Sequence, residues 1–260
     1  MSVITLTTDF GTRDWFVGAM KGVILGIAPP ARVVDVTHEI PAGDIRTGAF
    51  ALAAACRFFP EGTVHVAVVD PGVGSRRKGI IVQTDAAVFV GPDNGVLSRA
   101  LAEARIKAIH ALENQAYFLK PVSRTFHGRD IFAPVAAHLS RGVPIRKFGP
   151  AVSNFARLTW PQPRRQRVGI EGEVIHIDHF GNAITNLEAD LVRKLGRSVC
   201  EIRGRHRRVC PVKAFYQAVA PGKPVALVGS SDLLEIAVNG SSAEAALGLK
   251  VGTRVLLRPD

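Results

Sequence analysis

Apolar residues over the first 150 positions alternate between two rhythms. VITLTT (3–8), RVVDVT (32–37), TVHVAVV (63–69), GIIVQT (79–84) and AVFV (87–90) are short, β-branched-rich runs of strand length. Between them, residues 14–27, 46–58, 94–105 and 129–140 repeat apolar positions at helical spacing. The first of these runs through Phe16, Ala19, Met20, Val23, Ile24 and Ile27. Near-continuous apolar strands between amphipathic helices predict a mostly parallel sheet covered on both faces. The pattern breaks at TWPQPRRQR (159–167), where prolines and a basic cluster read as a linker. Beyond it, EGEVIHIDHFGNAITNL, SVCEIRG, RHRRVCPV, KPVALVG, LLEIAVN and TRVLLRP are short strands punctuated by Gly, Asn and Pro. SAEAALGL offers a turn of helix. The expectation is an α/β domain over 1–160 followed by a small antiparallel β-barrel over 161–260.

Composition narrows the class. At 260 residues and 47% hydrophobic, the chain can fill one large core or two modest ones. It has no apolar run long enough for a transmembrane helix, and MSVITLTTDF lacks the features of a signal peptide. A cytoplasmic protein without a membrane partner is expected. Three cysteines argue against a disulfide framework. Cys56 reads as a small buried hydrophobe. Cys200 and Cys210 read as two unrelated thiols in a reducing compartment, with a pairing across a hairpin as the alternative. The net charge is +11, and Arg193 to Lys213 is strongly basic. No aromatic residue lies in that segment, so it reads as a solvated face and not as a nucleic-acid site. Histidines, cysteines and acids do not fall at HExxH, CxxC or EF-hand spacing, so neither a metal nor another cofactor is expected.

Four segments carry candidate chemistry. Asp70 ends the strand run of VHVAVVD and is followed by the tight loop PGVGSRR. Ligands of open α/β sheets bind beyond the carboxyl ends of the strands. Arg77 can fold back on Asp70, which fits a ligand loop and equally a strand-ending turn with a surface ion pair. Asp9 follows the first strand run, where a carboxylate commonly holds a ribose diol. Asp14 reads first as the N-cap of the next helix. In RTFHGRDIFAPVAAHL, His127 stands at a helix entry, poorly placed for packing and well placed for proton transfer. Asp130 suits the dipole of that helix. His65 and His138 read as structural. In IDHFGNAITNL, Asp178, Asn182 and Asn186 surround a glycine turn. They fit either an adenine edge or Asx-turn chemistry.

TTDFG, THEIPAGDI, VDPGVGSRR, GPDNG, TFHGRDIFAPVAA, IDHFGN and LEIAVN occur in that order along nearly the whole chain. Together they resemble the adenosine-forming S-adenosylmethionine hydrolases, or hydroxide adenosyltransferases, relatives of the fluorinases and chlorinases. The resemblance implies an α/β domain joined to a β-barrel and a homotrimer whose substrate lies between neighbouring subunits. It places the family's water-activating set on Asp70, Arg77 and His127, and the ribose-holding acid on Asp9. Adenine and methionine contacts fall on Asp14, Phe126, Asp178, Asn182, Ser230, Glu235 and Val238. The chain departs from the pattern at Ser231 and Asp232, where a larger residue and a glycine are expected. Three alternatives remain in view: a halogenating relative, which would lack the Asp, Arg and His set; a non-catalytic adenosine-binding module, which would not need His127; and a basic nucleic-acid-binding protein.

Overall fold

A computed structural model describes residues 2–203 and 208–260, so positions 204–207 of the basic segment lie outside the described residues. The chain divides into two compact units, Met1–Leu158 and Thr159–Asp260.

In the first unit the elements run β1 (Val3–Thr8), α1 (Phe16–Ile27), β2 (Arg32–Thr37), α2 (Ile45–Cys56), β3 (Thr63–Val68), β4 (Gly79–Thr84), β5 (Ala87–Pro92), β6 (Ile106–Ala111) and α3 (Ala133–Ser140). A π-helical turn, Gly128–Phe132, leads into α3. The sheet order is β2-β1-β3-β5-β4-β6. β1 is parallel to β2 and β3, and β3 to β5; β4 is antiparallel to β5 and β6. The mostly parallel sheet is therefore present. Its period-two side chains divide between two cores. Ile4, Leu6, Val64, Val66 and Val68 pack with Met20 and Ile24 of α1 and Val135 of α3. Ala67, Val69, Ile80 and Val82 turn the other way and pack with Leu52 of α2 and Phe155. Burial on both faces explains why the runs for β1 and β3 hold no Asp, Glu, Lys or Arg and are rich in β-branched residues. Two of their polar side chains satisfy each other: Thr5 Oγ1 lies 2.8 Å from His65 Nδ1, and His65 stacks on Phe89.

Two expectations fail here. Residues 94–105 form a succession of turns, not a helix. Asn94 accepts from Val96 N and donates to Val69 O, and Ser98 Oγ donates to Gly95 O, so side chains take backbone groups that a helix would need. Val96, Leu97 and Leu101 are buried all the same, which accounts for the apolar spacing. Asp14 does not cap α1; the N-cap position is Trp15, with no side-chain cap bond.

The second unit contains β7 (Arg164–Gln166), β8 (Gly169–Ile177), β9 (Ala183–Glu188), α4 (Ala189–Leu195), β10 (Ser198–Ile202), β11 (Arg208–Pro211), β12 (Pro224–Val228), β13 (Leu233–Val238), α5 (Ala243–Leu247) and β14 (Arg254–Pro259). The order β11-β10-β14-β8-β9-β13-β12 is antiparallel, with β7 on β8. A bridge between Val212 and Ala226 brings the two ends together into a nearly closed barrel. Cys200 and Cys210 are not unrelated: they are direct cross-strand partners in its core, both free thiols. Burial raises both thiols, Cys210 to about 11.

Candidate active site

β1 and β3 are parallel neighbours, so the loops that leave their carboxyl ends open side by side. Asp9 leaves β1 and Asp70 follows β3. Both border a cavity of about 530 Å³, also lined by Phe10, Phe16, Phe126 and His127.

Arg77 folds back as its spacing allows, while Arg76 beside it points to solvent. Arg77 Nε donates to Asp70 Oδ1 at 2.9 Å, and its Nη2 donates to Asp70 Oδ2. The same Nη2 lies 2.7 Å from His127 Nδ1. This is no surface ion pair: the Asp70 and Arg77 side chains are 5% and 11% exposed. The guanidinium also lies over the Phe132 ring, 5.3 Å from its centre. The 71–77 loop reaches the His127 loop because Gly74 has φ +75° and a Cβ there would strike the Arg124 carbonyl.

His127 stands at the cap of the π-helical turn. Its loop is tied down by Asp130, which is fully buried and accepts from Ser123 N at 2.8 Å and Arg129 Nε at 2.6 Å. Asp130 thus acts as an anchor for the loop more than as a complement to a helix dipole. Burial first, and then the charge of Arg77, lower the His127 pKa, against Asp70, Asp130 and the Ser123 backbone. An arginine only donates, so His127 Nδ1 is the acceptor and the neutral ring carries its proton on Nε2.

Asp9 Oδ2 accepts from Gly43 N at 2.7 Å. Burial raises its pKa, with the Asp70 charge adding and the Gly43 N–H opposing. Phe126 is buried and meets Phe10 and Phe16 edge-on, at 5.8 and 5.1 Å between ring centres. Asp14 is exposed and does not line this cavity.

The remaining candidates sit in the second unit. Asp178 Oδ1 accepts from the backbone N–H groups of Phe180 and Asn182, and its Oδ2 accepts from Asn182 Nδ2 at 3.0 Å. Asp178 therefore builds an Asx turn and orients the Asn182 amide. Asn182 and Val238 border a cavity of about 810 Å³ together with Phe180, Phe215 and Tyr216. Glu235 is buried and accepts from the Tyr216 hydroxyl. Burial, helped by the Asp178 charge and opposed by Tyr216, raises Glu235, and Tyr216 is pushed up to about 12. Ser230 is exposed on the 229–232 turn, where Ser231 Oγ is buried without a hydrogen-bond partner. Asp232 has φ +59°, which explains why glycine was expected at this position. Asn186 is structural, accepting from Glu173 N and donating to Pro161 O. Sequence reasoning missed Gly43, Phe10, Phe16 and Tyr216. Phe16 was visible only as a helix-spacing position, and nothing in the pattern marked Tyr216.

An α/β unit with a carboxylate–guanidinium–imidazole cluster at its strand ends, followed by a β-barrel unit, defines a class of two-unit small-molecule enzymes. The family models for the SAM hydroxide adenosyltransferase N-terminal and C-terminal domains match residues 4–149 and 172–256, and the chain belongs to that family. A relative from Salinispora tropica, named (R)-S-adenosyl-L-methionine hydrolase, is 43% identical over 97% of this chain and 96% of its own length. A solved structure from Thermotoga maritima, of an uncharacterized conserved protein, has a TM-score of 0.92 at 38% identity. It covers 98% of this chain and 99% of its own. A fluorinase from an Actinoplanes species is 27% identical over 97% of this chain and 96% of its own length.

Proposed function

We propose that the protein hydrolyses (R)-S-adenosyl-L-methionine to adenosine and L-methionine. The observation that carries this reading is the part-buried Asp70–Arg77–His127 cluster, set beside Asp9 at one cavity. The relatives' name supplies the sulfonium epimer.

The sulfonium is a good leaving group, so the demand on the protein is to orient and deprotonate a water. The water oxygen forms a bond to the ribose C5′ in line with sulfur. The C5′–S bond breaks, its electron pair leaves on sulfur, and methionine departs as the thioether. Hydrogen bonding supports one acceptor for the proton. Nδ1 of His127 already accepts from Arg77 and its Nε2 carries hydrogen, so the neutral ring has no free lone pair. Each Asp70 oxygen keeps one after binding Arg77, so Asp70 accepts the water's proton. Arg77 fixes the carboxylate plane as a two-pronged donor, and His127 fixes Arg77. Fixed orientation is the larger contribution, since effective molarities reach about 10⁵ M or more.

Asp9 holds the ribose diol and Phe126 walls the cavity. Asn182 reads the adenine edge, with Asp178 orienting it. Val238, Glu235 and Ser230 complete the adenine and methionine contacts, and Asp14 joins them through a neighbouring subunit. This last assignment goes with a homotrimer in which neighbouring chains complete each site. The exposed aromatic residues Phe180, Phe215 and Tyr216 support such an interface. Three free thiols fit a cytoplasmic location.

The test is product analysis by chromatography after incubation with each resolved sulfonium epimer. Adenosine and methionine in equal amounts from the (R) epimer are expected. Neither product from either epimer overturns the reading.

A further inference from the structure

The strands β1 and β2 are parallel neighbours, so the Asp9 loop and the 38–44 loop emerge together. His38 lies between them, its side chain 3% exposed. Its Nδ1 lies 2.8 Å from the Thr8 hydroxyl, and Thr8 Oγ1 accepts from Phe10 N at 3.2 Å. Its own carbonyl accepts from Gly11 N at 2.7 Å. One histidine therefore ties down residues on both sides of Asp9. On the ring's other edge, Nε2 stands 3.0 Å from Asp35 Oδ1, and Asp35 Oδ2 accepts from Lys21 Nζ at 2.6 Å. Nε2 faces that carboxylate at ion-pair distance without an aligned hydrogen bond, so the Thr8 hydroxyl is the ring's hydrogen-bond partner. The network runs from Phe10, which donates to Thr8, through the hydrogen bond shared by Thr8 and His38, to Asp35, which both His38 and Lys21 face. Neither His38, Thr8 nor Asp35 lines the cavity.

We propose that His38 is a positioning residue that sets the Asp9 carboxylate for the ribose diol, an inference that rests on the assignment of Asp9 above. A carboxylate reads two vicinal hydroxyls only when its plane is fixed. Gly43 N fixes one oxygen, and the His38 network fixes the backbone that carries the side chain. Packing alone does not account for a histidine here, because an apolar side chain fills a buried space without needing polar partners on both edges.

The experiment compares calorimetric affinities for adenosine and 2′,3′-dideoxyadenosine in the wild type and in His38→Ala, His38→Asn and Asp9→Ala. The ratio of the two affinities measures the grip on the diol. His38→Ala should lower that ratio by about tenfold, the scale of a hydrogen bond to a charged group, and leave dideoxyadenosine binding unchanged. His38→Asn offers an oxygen to Thr8 and should restore most of the ratio. A wild-type ratio in His38→Ala overturns the proposal, as does an equal loss for both ligands, which is what a merely structural residue would give. A wild type that does not discriminate the diol overturns the Asp9 assignment and this proposal together. Diol discrimination without hydrolysis counts against the reaction alone, and the variant ratios still decide the role of His38.

Discussion

Asp70→Asn removes a charge and one acceptor while keeping the shape of the side chain. In the wild type both carboxylate oxygens receive an Arg77 N–H, and both partners are nearly buried. An amide must turn its NH₂ toward one of those donors, and Arg77 is left without its counter-charge. Breaking one side of a buried pair costs about 3 kcal/mol of stability. A domain commonly holds about 5–15 kcal/mol, so the variant should still fold. Loss of the group that takes the water's proton should slow the chemical step by roughly 10²- to 10⁴-fold. His127→Ala leaves the two-pronged contact between Arg77 and Asp70 in place and loosens only Nη2. Its cost should be smaller, about tenfold, on the scale of a single hydrogen bond. The assay is single-turnover release of adenosine from the (R) epimer with enzyme in excess, beside urea unfolding of each variant. If folded His127→Ala loses as much rate as Asp70→Asn, or more, the imidazole takes the proton and the assignment to Asp70 is wrong. If Asp70→Asn turns over like the wild type, the reacting water lies elsewhere.

Three further outcomes follow from the same reasoning. Because the sulfonium leaves without Lewis-acid help, activity should survive exhaustive chelation; loss restored by one divalent ion would contradict this. Light scattering should give a trimer, and mixing Asp9→Ala with Asn182→Ala subunits should recover activity if neighbours share sites; a fully active monomer would refute the sharing. Burial lowers His65 to about 4, so between about pH 6.5 and pH 4 the unfolded chain binds a proton that the folded one refuses, and stability falls as pH drops through that window. The loss amounts to about 3 kcal/mol at the acid end, and urea titrations at pH 7 and 4.5 should show His65→Gln losing less than the wild type.

Legibility in the sequence followed the physics of each signal. The strands β1 and β3 were readable because burial on both faces keeps Asp, Glu, Lys and Arg out of their β-branched runs. The second edge of the sheet was not, because IKAIHA in β6 alternates weakly and lies at the margin. Residues 94–105 carried a true burial signal that periodicity misassigned, since turns stabilised by Asn94 and Ser98 also bury every few residues. Of the candidate site, the interval from Asp70 to Arg77 was legible as a loop able to close on itself. That the loop meets His127 was not, because a contact fifty residues away depends on Gly74 and the buried anchor Asp130. Cys200 and Cys210 sat at the register a hairpin allows, and the strand pairing decided between the two readings.

The proposed site also favours water over a halide as the nucleophile. Among the described residues, Arg77 is the cation in direct contact with the Asp70 and His127 side chains, and both its Nε and Nη2 are committed to Asp70. Burial and the Arg77 charge lower the His127 pKa, and its Nδ1 accepts from Arg77, so the ring adds no positive charge. The cluster therefore carries no net positive charge with which to desolvate an anion. An anion beside this pair meets the Asp70 carboxylate and the Arg77 guanidinium together and gains little net attraction, while Asp9 adds a second carboxylate that repels it. Water pays no such cost. It becomes acidic only as its oxygen bonds to carbon, at the moment when the neighbouring carboxylate can accept the proton and the sulfonium charge is being cancelled. A site made of a neutralised arginine and a carboxylate with spare lone pairs thus favours a nucleophile that arrives neutral and loses a proton during attack, which halide cannot do.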